Sequence, residues 1–168
     1  MIRMSALLLH AALAVWALPA AAQESVLYSF PSAAAGIPTG HLLLLKNSLF
    51  GTTSGKNASY GTVFGLTQSG GAWTESTLVT FNGKNGTEPD AGLIADASGN
   101  LYGTTTYGGR HGSGTVFMLS QSGGGWSLTT LWNFSGTGDG ANPACDLLMD
   151  STGAIYGTTQ KGGVKETG

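Results

Sequence analysis

Leu101–Leu119 reads LYGTTTYGGRHGSGTVFML, two short apolar runs separated by a glycine- and threonine-rich link that holds Tyr107, Arg110 and His111. Such a stretch could be a ligand-holding loop or one rung of a repeating scaffold, and its recurrence decides between them. LFGTT at Leu49–Thr53 returns as LYGTT at Leu101–Thr105 and as IYGTT at Ile155–Thr159. GTVF at Gly61–Phe64 returns at Gly114–Phe117, Trp73 returns as Trp126, and Phe81 returns as Phe134. The spacings are 52 to 54 residues, and Pro38, Pro89 and Pro143 each precede an apolar run in the same phase. Regular self-similarity at this period is the mark of a repeat architecture.

One unit, Pro89–Phe134, contains four strand candidates: Leu93–Asp96, Asn100–Thr105, Thr115–Ser120 and Trp126–Phe134. Each is rich in aliphatic, aromatic or threonine residues and is bounded by glycine, asparagine or serine. Asp96-Ala97-Ser98-Gly99-Asn100 suits a tight hairpin whose aspartate accepts the turn's N–H groups. Asp150 stands in the same phase, so both carboxylates are expected to cap turns. Four antiparallel strands per roughly 50 residues predict an all-β, propeller-like array of four-stranded blades, with both faces of each blade covered by its neighbours. The in-phase aromatics Phe64 and Phe117, Trp73 and Trp126, and Phe81 and Phe134 are then expected to pack between blades.

AGLIADASGNLYGTTTYGGRHGSGTVFMLSQSGGGWSLTTLWNFSGTGDGANP resembles the GloVer tandem repeat of exported bacterial proteins known as choice-of-anchor tandem repeat proteins. LYGTT, GG, GTVF, the tryptophan and the final phenylalanine carry the resemblance in order across the chain after its leader. It implies an exported propeller-like repeat protein with a variable C-terminal anchor, and no established activity. Kelch is a weaker match, because the aromatic spacing after Gly108-Gly109 differs.

Residues 1–22 read as a secretory signal peptide: Arg3, then an apolar run from Ala6 to Leu18, then Pro19 and Ala20-Ala21-Ala22. The run is short of the roughly 20 residues a spanning helix needs, so no membrane span is expected after cleavage. Residues 23–168 form the repeat region. The last strand of a blade is expected over 25–30, repeats over about 38–81 and 89–134, and a partial repeat over 143–168. Gly168 aligns with Gly114, so the register breaks off before a third GTVF. The expectation is an N-terminal fragment of a longer protein; the alternative is a short chain that closes its ring by self-association.

The 168 residues carry 28 glycines, and charged residues make up 10% of the chain. Without Arg3, six basic residues face nine acidic ones, a formal charge of −3. Nucleic acid is therefore not an expected partner, since it demands a basic patch. Cys145 is the single cysteine and forms no intramolecular disulfide; it is expected to be a small buried residue, or else to bridge two chains.

No catalytic residue, metal or cofactor is assigned. His41 and His111 lack metal-ligand spacing, and the loops holding Glu88 and Asp139 lack the alternating acidic pattern of a calcium loop. Gly108–Gly114 has no strand-to-helix setting and no Gly-Lys-Ser/Thr for phosphate, and GTTSG places its serine wrongly for a nucleophile elbow. Chemistry varies most in the link between the second and third strands: SGKNASY, TYGGRHGS and QKGGVKET. Tyr107, Arg110 and His111 are the candidate ligand contacts there, with an extracellular polysaccharide or a surface protein as partner. The expected function is a secreted or cell-surface binding or structural module. The alternative is an extracellular carbohydrate-active enzyme whose catalytic residues lie in missing blades.

Overall fold

The computed structural model describes residues 26–30, 36–55 and 59–163. The leader expected over residues 1–22, the middle of the first variable link (56–58) and the end of the third (164–168) lie outside the described residues. Ten strands are described, all pairing antiparallel: β1 (Ile37–Leu45), β2 (Ser48–Ser54), β3 (Thr62–Ser69), β4 (Ala72–Thr80), β5 (Ile94–Ala95), β6 (Leu101–Thr105), β7 (Thr115–Ser122), β8 (Gly125–Asn133), β9 (Leu148–Met149) and β10 (Ile155–Tyr156). They form two four-stranded meanders, β1-β2-β3-β4 and β5-β6-β7-β8, and the pair β9-β10. The described residues are all-β, with one four-stranded antiparallel sheet per full repeat.

The repeat is exact enough to include its irregularities. Gly51 pairs with Phe64 across β2 and β3, and Gly103 pairs with Phe117 across β6 and β7. Both third strands then shift register against the fourth, between Val63 and Phe64 and between Val116 and Phe117. Such a bulge re-aims the phenylalanine while the ladder continues. Gly61 and Gly114 open these strands at φ of 93° and 98°. A Cβ there would stand 2.5 Å from Thr53 O in one unit and 2.4 Å from Thr105 O in the other, so only glycine fits.

The core lies between the first two sheets. Phe50, Val63 and Phe81 of the first unit pack with Leu93, Leu101, Phe117 and Leu119 of the second. Each fully buried side chain of this size stabilises the fold by about 1.5–3 kcal/mol. Phe81 meets Phe117 edge to face at 5.2 Å, Phe30 meets Phe64 in the same manner at 5.0 Å, and Phe50 meets Trp126 at 5.9 Å. The in-phase aromatics thus pack between units where a neighbour is present. Trp73 and Phe134 are only half-buried and stand in no such pair among the described residues.

Val26–Phe30, where a strand is expected, is not paired as one. No described strand lies beside it to complete a ladder, although Phe30 still occupies the position on Phe64 that Phe81 holds on Phe117. Cys145 is half-buried rather than buried, and its sulfur accepts the Thr158 N–H at 3.0 Å.

Three residues that follow the phase-marking prolines by the same interval converge. Asp146 Oδ2 lies 3.1 Å from His41 Nδ1, and Asp146 Oδ1 accepts the Gly92 N–H at 2.7 Å. First, second and third units therefore meet at one place.

Candidate functional site

The link between β6 and β7 carries the candidate side chains, and its backbone is fastened along most of its length. Thr87 and Tyr107 exchange both backbone hydrogen bonds, at 2.9 and 3.2 Å. Gly109 N–H reaches Gly83 O at 2.9 Å, and Arg110 N–H reaches Asn133 Oδ1 at 2.8 Å. Gly114 N–H closes the link on Gly108 O at 3.1 Å. Gly108 itself must be glycine, because a Cβ would stand 2.6 Å from Gly83 O. Gly108 thus serves close approach between the link and the segment that precedes it.

On this fixed backbone Tyr107, Arg110 and His111 are all exposed, Tyr107 to 43%. The structure brings them together on one short loop and leaves them facing solvent. A phenol ring, a guanidinium and an imidazole can stack on a sugar face and hydrogen-bond a carboxylate or hydroxyl. They supply no nucleophile with its base. In the third unit Lys161 holds the position of Tyr107 and exchanges backbone hydrogen bonds with Ala141 at 2.7 and 3.1 Å. The platform repeats while the side chain it presents changes.

The acidic residues are engaged locally. Asp96 Oδ1 accepts the N–H groups of Ser98 and Asn100, both at 2.9 Å, while Oδ2 accepts Asn100 Nδ2 and the Tyr102 hydroxyl. Desolvation works to raise the Asp96 pKa, and these bonds outweigh it, leaving it below the ordinary value. Desolvation and the adjacent carboxylate push the Tyr102 hydroxyl up. Asp150 repeats the turn: the Thr152 hydroxyl, the Tyr156 hydroxyl and the backbone N–H groups of Thr152 and Ala154 hold it down at about 2. Asp139 is held low chiefly by the Ser135 hydroxyl and also accepts Trp132 Nε1 at 3.2 Å. Its carboxylate is occupied by its own loop. Among the described residues no group of three His, Cys, Asp or Glu could hold a metal ion. No helix among them is long and apolar enough to cross a membrane.

Sequence reasoning missed the partners of this loop. Asn133 and the Asn82–Thr87 segment fasten it, and the only sequence signal was that the segment before each proline recurs with glycine at Gly86 and Gly140. It also missed Trp132, exposed to 53% beside a cleft between the second and third units.

Repeated four-stranded antiparallel sheets, in-phase aromatic joints and a backbone-locked variable loop define a tandem β-repeat protein. The chain belongs to the Gloeobacter/Verrucomicrobia repeat family, whose model matches residues 14–168. No curated protein and no solved structure matches it.

Proposed function

We propose that this chain is an exported β-repeat module that acts at the cell surface or outside the cell by binding, with the β6–β7 loop as a contact surface for extracellular polysaccharide. The observation that carries it is the contrast within that loop. Its backbone is immobilised by five hydrogen bonds to Thr87, Gly83, Asn133 and Gly108, while Tyr107, Arg110 and His111 stand exposed. Side chains presented on a rigid platform lose little entropy on binding. The leader at residues 1–22 supports export.

A propeller-like arrangement supports the same reading, since propeller rims present such loops side by side. His41 of the first unit touches Asp146 of the third, and Asp146 also touches Gly92 of the second. Equivalent residues of three successive units meet when the sheets turn about a shared axis, and a straight stack would hold the first and third apart.

The test is retention on insoluble acidic and neutral polysaccharides, comparing the chain with its Tyr107→Ala, Arg110→Ala, His111→Ala triple variant. Retention that drops at least tenfold in the variant is the expected result. Equal retention, or none on any polysaccharide, removes this reading. A reporter fused after Ala22 checks export separately.

A further inference from the structure

The first and second units enclose a groove of about 440 Å³, and all four strands of both units are among the described residues. It lies where the sheets end in their hairpin turns, at Lys46 and at Ser98–Asn100, the opposite end of β6 from the Tyr107 loop. Small-ligand sites typically enclose roughly 300–1,000 Å³. Gly65 makes the space. Gly65 pairs with Phe50 across β2 and β3, and the second unit has Met118 paired with Tyr102 at the same position. A Cβ on Gly65 would already stand 3.3 Å from Phe50 Cε1 and 3.5 Å from Leu78 Cδ2, so a methionine there would fill the groove.

The groove is apolar at its floor and polar at its rim. Phe50 and Gly65 are buried, Leu78 and Trp126 are half-buried, and Phe50 meets the Trp126 indole edge to face at 5.9 Å. Thr67, Ser76 and Gln121 are exposed around them. Asn100 gives its Nδ2 to Asp96, which leaves Oδ1 for a ligand hydroxyl. An aromatic ring beneath hydroxyls and amides fits a pyranose, whose C–H face is apolar and whose edge carries hydroxyls. Lys46 is the one charged residue of the lining, and the neighbouring Asp96 carboxylate is engaged by Ser98, Asn100 and Tyr102. An ammonium in a groove lined by no carboxylate favours an anionic group on the ligand.

We propose that this groove is a saccharide site of its own, for a disaccharide that carries a uronic acid. One pyranose stacks on Trp126, its hydroxyls meet Thr67, Asn100 and Gln121, and the carboxylate pairs with Lys46. Gly65 and Lys46 make the site particular to the first unit. The second unit has Met118 at the one position and no basic residue in its first hairpin turn, Asp96–Asn100. The groove lies at the other end of the sheets from Tyr107, Arg110 and His111, and the proposal stands whether or not that loop binds polysaccharide.

The test titrates the full chain with digalacturonate and with its methyl ester by calorimetry, in the Tyr107→Ala, Arg110→Ala, His111→Ala background so that the loop contributes nothing. Saturable one-site binding is expected, about fivefold tighter for the acid than for the ester. Lys46→Asn, which suits a backbone with φ of 55°, should lower the acid to the affinity of the ester. Gly65→Met, which gives the first unit the residue of the second, should weaken both ligands about tenfold while the far-ultraviolet circular dichroism stays unchanged. No saturable binding in the triple variant, equal affinity for acid and ester, or an acid affinity untouched by Lys46→Asn overturns the proposal. So does full binding to a folded Gly65→Met chain; should that chain misfold, the Lys46→Asn comparison decides.

Discussion

Thr105 and Thr115 face each other across β6 and β7 with their hydroxyl oxygens 2.8 Å apart, and both residues are wholly buried. Thr105 Oγ1 also donates to Tyr107 O at 3.0 Å and accepts the Thr115 N–H at 3.2 Å. One hydroxyl therefore ties the two strands together at the root of the loop that presents Tyr107, Arg110 and His111. The first unit repeats the pair as Thr53 and Thr62, also at 2.8 Å.

Thr105→Val keeps the shape and removes these bonds, leaving the buried Thr115 hydroxyl without its partner. An unsatisfied buried polar group costs about 1–3 kcal/mol, and a loss of about 2 kcal/mol is expected in urea unfolding. Replacing both residues by valine removes the hydroxyl pair at once and should restore the part of that loss that comes from the stranded Thr115 hydroxyl, while the Thr115 N–H still lacks its Thr105 acceptor. A double variant as unstable as the sum of the two single ones contradicts this account.

The strands were legible because their residues recur in phase. β7 and β8 fall within two residues of the segments marked by GTVF and by the tryptophan, and Asp96 and Asp150 cap turns as their shared phase implies. The contact between His41 and Asp146 was not legible. A 53-residue period says how one sheet is built, whereas the turn from sheet to sheet is the sum of many side-chain packings and has no local signature. The matching positions hold histidine, glycine and aspartate, so the repeat itself conceals them. The loop's side chains were visible as the most variable link, but the clamping of its backbone by Gly83 and Thr87 depends on that same sheet-to-sheet geometry.

Glu88 and Asn142 occupy one position of the repeat, each before a proline, and share a left-handed backbone with φ of 55° and 56°. Asparagine tolerates that region, while a longer side chain pays about 1 kcal/mol for it. Asn142 gains further from Nδ2, which donates to Thr106 O at 3.0 Å. Glu88→Asn is expected to stabilise the chain by about 1 kcal/mol, and Asn142→Glu to destabilise it by at least as much. Thermal melts of the two variants check both signs, and a destabilised Glu88→Asn removes the explanation.

Acid should destabilise the protein through its turn aspartates. Asp96, Asp139 and Asp150 all lie below the ordinary aspartate value of 3.8 in the folded chain, Asp150 at about 2. A depressed folded pKa means that the unfolded chain binds the proton first as pH falls. The stability these groups contribute is complete above about pH 5 and is lost as pH drops toward about 2. The melting temperature should be flat from about pH 7 to about pH 5 with respect to these groups, and should fall below about pH 4, modestly because the carboxylates are exposed. Asp150→Asn removes one charge acceptor while keeping an oxygen for the Thr152 and Ala154 N–H groups. Its melting temperature should lie below that of the unaltered chain near neutral pH, and the two curves should converge as Asp150 protonates. Parallel curves down to about pH 2 would show that the turn bonds do not depend on the carboxylate charge.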